Sequence, residues 1–196
     1  MEQKEKKPVR IPTMEEVESE RDRYRFKKLY HSKLKSTIAI LVVAAAAAIL
    51  LATLIFPVMR IYGSSMSPTL QEGQIVVALK TENLETGDLA AFYYGNKLLI
   101  KRVIAGPEDI VDIDSEGRVS VNGELLDEPY VSSQAVGECD ITFPYEVPEE
   151  HWFMMGDNRA VSVDSRSSQL GSVSREQISG KVILRVWPLT AFGPVE

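Results

Sequence analysis

The chain has few residues that bind metals or form disulfides: one cysteine, Cys139, and two histidines, His31 and His151. A single cysteine excludes an intrachain disulfide, and the spacing of the three residues is not that of a zinc site. Phosphate-binding glycine loops, dinucleotide fingerprints and internal repeats are also missing from the sequence. We therefore predict a protein that needs no metal or cofactor, with Cys139 as an ordinary thiol in or near the core.

Charge is unevenly distributed along the 196 residues. Residues 1–35 contain eleven basic and seven acidic residues, a net charge of +4, whereas residues 57–196 contain eleven basic and twenty-one acidic residues, a net charge of −10. The acidic C-terminal part would be repelled by a phosphate backbone, which argues against nucleic acid as its partner.

An uninterrupted apolar stretch runs from Thr37 to Phe56. Twenty helical residues span about 30 Å, the thickness of the hydrocarbon core of a bilayer. A cleaved secretory signal is the alternative, but such signals have a short basic start and an apolar region of roughly 7–15 residues. The 36 preceding residues and the length of the stretch favour an uncleaved transmembrane helix that contacts membrane lipid.

Seven basic residues and a single acidic one, Asp22, lie between residues 21 and 35, next to the apolar stretch. The positive-inside rule then predicts a cytoplasmic N-terminus and a C-terminal domain outside the cell membrane. We expect three segments: a charged head (1–36), the membrane helix (37–56) and an outer domain (57–196). The head is expected to be disordered up to about residue 20, or helical from Thr13, where TMEE resembles a capping box.

The outer domain has short apolar and β-branched runs separated by turn residues, without a long amphipathic helical pattern. The Asn122-Gly123 pair between RVSV and ELL predicts a tight hairpin. An irregular surface segment is expected over Glu128–Glu150, which contains three prolines. This spacing predicts an all-β barrel or sandwich. The expected strands are Gln74–Leu79, Leu89–Tyr94, Leu98–Ala105, Ile110–Ile113, Arg118–Val121, Trp152–Met155 and Lys181–Trp187, with a further short one at Arg60–Tyr62.

The segment Gly63–Leu70, GSSMSPTL, offers serine hydroxyls as nucleophiles. A serine needs a base to take its proton, and the outer domain's single histidine, His151, has no obvious acidic residue to orient it. A lysine serves as the base if burial keeps it neutral. This chemistry directs attention to lysines placed within apolar strands.

Lys101 lies in such a strand, LLIKRVI. Strand alternation places it on one face with Leu99 and Val103, and Arg102 on the other. This position predicts a desolvated lysine with a lowered pKa, next to which no carboxylate should lie. The alternative, on this segment alone, is a lysine that extends to solvent from an edge strand.

A third segment, Gly156–Arg166, reads GDNRAVSVDSR and follows a predicted strand. Asp164 and Arg166 are spaced for an ion pair, and the hydroxyl of Ser162 is suited to hold a lysine in place. Taken alone, the segment is equally compatible with an ordinary polar loop.

Together the three segments resemble bacterial type I signal peptidases of the Ser/Lys kind. SMSPTL is similar to that family's S-M-x-P-T-L box, KRV to its K-R box and GDNRAVSVDSR to its G-D-N-R-x-x-S-x-D-S-R box, and the apolar stretch precedes them as in the family. The resemblance covers roughly Thr37–Val182. It implies an all-β catalytic domain that removes signal peptides from exported preproteins by cutting after small residues at the first and third positions upstream of the cut.

The resemblance also implies roles for single residues. Ser65 would be the nucleophile and Lys101 the general base. Ser162 would hydrogen-bond Lys101, while Asp164 and Arg166, together with Asp157 of the same box, would support the loop.

Two positions depart from the family pattern. Glu108 stands where many relatives have glycine, so the turn after KRVI is expected to differ there. Gly63 stands where some relatives have a serine whose hydroxyl helps to stabilise the oxyanion. The oxyanion hole is then expected to use backbone N–H groups, chiefly that of Ser65, with a contribution from Ser64 left open.

Nine peptide steps separate Phe56 from Ser65, so even a fully extended chain keeps the nucleophile within about 30 Å of the end of the apolar stretch. The neighbouring Val58 and Met59 are expected to lie against lipid. Two rival interpretations remain: a self-cleaving repressor-type Ser/Lys protease, which would need a DNA-binding head, and an anchored β-domain without enzymatic activity.

Overall fold

The computed structural model describes residues 12–195, and its first element is a single long helix, α1, over Met14–Ile55. The Oγ1 of Thr13 accepts a hydrogen bond from the amide of Glu16 (3.3 Å), and the Glu16 carboxylate accepts one from the amide of Thr13 (3.0 Å). This is the expected capping box. By length and composition the helix is apolar enough to cross a membrane.

The helix extends well beyond the predicted membrane segment in the N-terminal direction. No proline or glycine occurs between Thr13 and Phe56, so nothing interrupts the helix at residues 36 and 37. Of the two expectations for the head, disorder up to about residue 20 or a helix from Thr13, the structure has the helix from Met14 onward. Residues 1–11 lie outside the described residues. Pro57 follows the last helical turn, as expected at a helix end.

The remainder of the chain forms a second compact unit, Ala52–Glu196, built from antiparallel strands. A larger sheet contains β1 (Val58–Arg60), β2 (Ile75–Leu79), β3 (Leu89–Tyr94), β4 (Lys97–Ala105), β9 (His151–Met155), β10 (Val173–Ser174), β11 (Ile178–Trp187) and β12 (Gly193–Pro194). A smaller sheet contains β5 (Ile110–Ile113), β6 (Val119–Val121), β7 (Glu124–Leu125) and β8 (Tyr145–Glu146). Single 3₁₀ turns occupy Arg175–Gln177 and Leu189–Ala191.

The order in the larger sheet is β1-β2-β11-β3-β4-β9-β10, with β12 paired to β11, and the order in the smaller sheet is β7-β6-β5-β8. The predicted all-β class is confirmed. β3 and β5 have the predicted bounds, and the other five main strands differ from theirs by one to three residues at one end. The short strand expected at Arg60–Tyr62 lies two residues earlier. Strands β7, β8, β10 and β12 have two residues each, too few to show an alternating pattern in the sequence.

The hairpin predicted at Asn122-Gly123 is present between β6 and β7. Both residues have positive φ, 53° and 82°, as a type I′ turn requires.

The two faces of β3 explain how a lysine comes to lie in the core. Leu89 and Ala91 pack into one hydrophobic cluster, and Ala90 and Phe92 into another. Lys101 is the cross-strand neighbour of Ala90 in β4 and thus shares its face. Alternation in both strands is regular here, and it directs the lysine inward.

The segment over Glu128–Glu150 is irregular, as predicted, but it is not wholly on the surface. Glu128 and Val147 are buried, and the segment contributes β8 to the smaller sheet. The carbonyls of Ala135 and Val136 accept hydrogen bonds from the buried Arg166. The segment therefore covers part of the core.

The turn after β4 keeps a conformation suited to glycine although its residue is Glu108. Its φ is 66°, in the left-handed region. The amide of Glu108 donates to Val147 O (2.9 Å), and the Asp109 carboxylate accepts from the amide of Gly106 (2.7 Å). These hydrogen bonds hold Glu108 in a left-handed backbone conformation, which is energetically unfavourable for a residue with a Cβ.

We predict that Glu108→Gly raises the free energy of unfolding by about 0.5–1 kcal/mol, because glycine adopts a positive φ without the Cβ penalty but is more flexible in the unfolded state. Chemical denaturation measures the change. Glu108→Ala is the matched control, since it removes the charge and keeps the Cβ. An equal gain in both variants would assign the effect to charge and contradict the strain.

Candidate active site

The serine segment, Gly63–Leu70, follows the end of β1. Hydrogen bonds from the amide of Ile61 to Gln74 O (2.8 Å) and from the amide of Gly73 to Ile61 O (3.0 Å) continue the pairing one residue past the strand. Gly63, at φ 79°, then turns the chain. Met66 and Leu70 are both buried in a hydrophobic cluster and anchor the segment there.

Gly63 has open space around the position of a Cβ, so room does not exclude a side chain there. Its left-handed φ is what disfavours one. A serine that assists the oxyanion from this position would therefore need a different backbone conformation, and this chain has no side-chain hydroxyl at that point.

Ser65 is half-buried, and its carbonyl oxygen accepts a hydrogen bond from the amide of Asn158 (3.0 Å). This bond joins the serine segment to the polar loop that follows β9. Within residues 12–195, the amide of Ser65 itself donates to no backbone carbonyl.

Lys101 is buried, with 4% of its surface exposed, and its Nζ donates a hydrogen bond to Ser162 Oγ (2.8 Å). Burial lowers the pKa of Lys101 from 10.5 to about 8, although the charge of Asp164 acts in the opposite direction. In the described part of the chain, no carboxylate lies within ion-pair distance of Nζ. The group that contacts the amine is a neutral hydroxyl.

Ser65 and Lys101 line one cleft of about 540 Å³. Gly156 lies against both Ser65 and Ser162, the hydroxyl partner of Lys101. A Cβ on Gly156 would lie 2.5 Å from Ser65 O and 2.6 Å from the Cβ of Ser162. Only a glycine lets the loop approach the serine segment and the lysine's hydroxyl partner at the same time.

Asp157 connects the three motifs directly. Its carboxylate accepts two hydrogen bonds from Arg102, from Nε and Nη2, both at 2.9 Å. It also accepts one from Thr69 Oγ1 (2.5 Å). Arg102 in turn lies over the ring of Tyr130, 3.9 Å from its centroid. Asp157 thus holds the loop, the β4 strand and the end of the serine segment together.

Asp164 and Arg166 form the predicted ion pair, and both are fully buried. The Nε and Nη2 atoms of Arg166 each donate to the Asp164 carboxylate at 2.8 Å, and this carboxylate also accepts from the amide of Gly156 (3.0 Å). Burial opposes ionisation of Asp164, but the hydrogen bonds and charge of Arg166 outweigh it and hold the pKa of that carboxyl below its ordinary value.

Three further residues support the site and were missed from the sequence. Arg159 is buried and makes a double ion pair with Glu128. Arg185 of β11 donates to the carbonyl oxygen of Thr69 (3.1 Å). Arg159 lies in a recognisable motif and could have been noticed, whereas Glu128 and Arg185 have no local signal because their partners are distant in sequence.

The structure therefore brings together Ser65, Lys101 and Ser162 and places Asp157, Asp164 and Arg166 behind them. His151 lies elsewhere, at the start of β9, with Nδ1 2.7 Å from Glu149 O. A serine hydroxyl and a buried amine with a lowered pKa thus line the same cleft.

Several known proteins are similar to this chain in sequence. The family model described as "Signal peptidase, peptidase S26" matches residues 34–187. The chain is 36% identical over 153 residues to the signal peptidase IB of Staphylococcus aureus, a match that covers 67% of this chain and 78% of that protein. It is 33% identical over 165 residues to a probable signal peptidase I-2 of Synechocystis sp., covering 78% and 73%. A crystal structure of a signal peptidase I from Enterococcus faecalis superposes with a TM-score of 0.43 at 25% identity, over 50% of this chain and 96% of that one.

We predict that Arg166→Ala lowers the free energy of unfolding by about 3–5 kcal/mol, because it leaves the buried Asp164 carboxylate without its partner. Arg175→Ala is the control: its two ion pairs, with Glu82 and Glu150, are exposed, so its removal should cost less than about 1 kcal/mol. Thermal or chemical denaturation compares the two. Equal losses would refute the supporting role given to the buried pair.

Proposed function

The chain belongs to the signal peptidase family, peptidase S26, a family of serine peptidases that remove signal peptides, and we propose that it does so with Ser65 as nucleophile and Lys101 as general base. The family match favours this function over the self-cleaving repressor-type protease. All three motifs are intact, which argues against a β-domain without activity. The observation that carries the proposal is the burial of Lys101 against a hydroxyl, in the cleft that it shares with Ser65.

The pKa of about 8 gives Lys101 a function that an ordinary lysine lacks. At pH 7 roughly one amine in ten is neutral, whereas a lysine with a pKa of about 10.4 would have fewer than one in a thousand. The Ser162 hydroxyl fixes the amine without adding a charge that would favour the ammonium. Asp164, the nearby carboxylate, has its own charge compensated by Arg166.

In the proposed reaction, neutral Lys101 takes the proton of Ser65 Oγ as this oxygen attacks the carbonyl carbon of the residue before the cut. The peptide C–N bond breaks, and the amine of the mature protein leaves with a proton from Lys101. An ester joins the signal peptide to Ser65. Lys101 then takes a proton from water, whose oxygen attacks the ester carbon. The bond to Ser65 Oγ breaks, Lys101 returns the proton to Oγ, and the signal peptide leaves as a free acid with both residues restored.

The oxyanion is proposed to be held by the backbone amide of Ser65. This amide is in the turn that contains the nucleophile and has no backbone acceptor within residues 12–195. Gly63 cannot supply a hydroxyl, so backbone donors carry this function.

The substrate is proposed to bind as an extended strand. β1 is the edge strand of the larger sheet, and residues 97–101 of β4 pair only with β3, since β9 pairs with β4 from Arg102 onward. Both segments line the cleft, and within residues 12–195 each has one side without a strand partner, where a peptide could pair. We propose that small side chains at the first and third positions before the cut are preferred, as the family resemblance implies.

The membrane arrangement is likewise a proposal: α1 spans the membrane, its N-terminus is cytoplasmic, its apolar part contacts lipid, and the catalytic domain lies outside. The basic residues over 21–35 and the apolar residues that follow support it. Protease added to spheroplasts should degrade the catalytic domain and spare a tag at Met1. Loss of the tag with an intact domain would contradict this orientation.

We predict that Ser65→Ala abolishes cleavage of a preprotein without altering the melting temperature, because the hydroxyl is required and the backbone turn is kept. Ser64→Ala is the control and should retain substantial activity. Mass spectrometry of the products should place the cut after a small residue. An active Ser65→Ala variant beside an inactive Ser64→Ala variant would show that the other hydroxyl attacks.

We predict that kcat/KM rises with pH and levels off through an apparent pKa of about 8, because only neutral Lys101 accepts the proton. Lys101→Arg should be inactive although it keeps the positive charge, since a guanidinium does not deprotonate. Lys181→Arg, on β11, should retain activity. Near-normal turnover by Lys101→Arg would show that the charge matters and proton transfer does not.

A further inference from the structure

One face of the N-terminal half of α1 forms a shallow groove, open to solvent, between exposed side chains. Its lining residues combine cations with hydroxyl groups and are all exposed. They are Tyr24, Lys27, Lys28, His31, Ser32 and Lys35. The catalytic reaction uses none of them.

The spacing of three, four and seven residues puts these side chains on one face of the helix. Lys28 and Lys35 lie two turns apart, and His31 and Ser32 lie between them. The helix is continuous here, so the arrangement is fixed by the backbone and needs no tertiary contact.

The cations of this face differ from the arginines nearby. Arg21 forms ion pairs with Glu18 and Asp22, and Arg23 with Glu20. In the described part of the chain, Lys27, Lys28 and Lys35 have no carboxylate within ion-pair distance. Lysines without an ion pair therefore line the groove, while Arg25 and Lys33, which also have none within residues 12–195, lie outside it.

The groove lies next to the apolar stretch that starts at Thr37. At 1.5 Å per residue, Lys35, Ser32 and His31 are about 3–9 Å from that start, within or close to the headgroup layer of a bilayer, which is roughly 5–8 Å thick. The backbone of Lys28 and Lys27 lies about 14–15 Å from it, close enough for the long Lys28 side chain to reach a phosphate at the outer edge of that layer.

We propose that this face of α1 is a binding site for the phosphate of an anionic phospholipid in the cytoplasmic leaflet. The inference rests on the membrane arrangement proposed above. Lys28 and Lys35 bind the phosphate from either side, and the Ser32 hydroxyl between them donates a hydrogen bond. The location directly beside the apolar stretch favours a lipid over a soluble acidic protein, because the lipid's acyl chains pack against the same helix.

Native mass spectrometry of the full-length protein in detergent, titrated with phosphatidylglycerol or with phosphatidylcholine of the same acyl chains, tests the site. The wild-type protein should retain phosphatidylglycerol preferentially. The double variant Lys28→Gln/Lys35→Gln should lower this retention by about two orders of magnitude or more, because it loses the diffuse attraction of two charges, a factor of about five each, and also the charge-assisted contacts with the phosphate.

The matched control is Arg25→Gln/Lys33→Gln, which removes two charges about 18 Å and 6 Å from Thr37, outside the groove. It should lose only the diffuse attraction of two charges, so it should retain at least ten times more phosphatidylglycerol than Lys28→Gln/Lys35→Gln. Equal losses in both double variants would show a diffuse attraction and overturn the site. Equal retention of the two lipids by the wild type would also overturn it and leave a soluble acidic partner as the ligand of this face.

Flotation with phosphatidylcholine vesicles separates this outcome from a failure of the membrane arrangement. If the full-length protein does not float with vesicles at all, the anchoring itself is wrong. If it floats and shows no preference for the anionic lipid, the anchor stands and the headgroup site is wrong.

Discussion

The structure depends on one constraint: an ammonium group must lie in the interior of a β-domain and still be able to lose its proton. Lys101 meets it because β3 and β4 alternate regularly and place it opposite Ala90, away from water. Burial penalises the charged amine, and the contact with Ser162 adds no negative charge. A carboxylate in place of Ser162 would have fixed the lysine equally well but kept it protonated.

The surrounding charges are arranged so that this balance is preserved. Asp157 and Asp164 are both buried near Lys101, and each is bound by an arginine, Arg102 or Arg166, through two hydrogen bonds. Buried ion pairs of this kind add little net stability, but losing one partner is costly. Their value here is geometric, since they hold the loop over Gly156–Arg166 against the serine segment. Glu128, from a segment distant in sequence, forms the corresponding buried ion pair with Arg159 of this loop.

Much of this could be predicted from the sequence, and the exceptions have physical reasons. Strand alternation predicted the inward direction of Lys101, the Asn-Gly pair predicted a hairpin, and the spacing of Asp164 and Arg166 predicted their ion pair. Those signals are local. The role of Asp157 as the link between Arg102 and Thr69 is not local, because its partners lie 55 and 88 residues away.

Two expectations were met only in part, for physical reasons. The charged head was expected to be disordered or helical from Thr13, and without proline or glycine it continues the helix of its apolar neighbour from Met14. The segment after Glu128 was expected on the surface because of its prolines, yet its backbone carbonyls satisfy a buried arginine. Composition indicates which regular secondary structure a segment is unlikely to form. It does not indicate which distant side chain will form hydrogen bonds with the segment's backbone.

The central claim is that Lys101 loses its proton far more readily than an ordinary lysine in the free enzyme, before any substrate binds. The most direct measurement is an NMR titration of the full-length protein with ¹³C-labelled lysine, in which the Lys101 Cε signal is assigned by its absence from Lys101→Arg. The account predicts a titration midpoint of about 8. A Lys101 signal that does not titrate below pH 10 would contradict it.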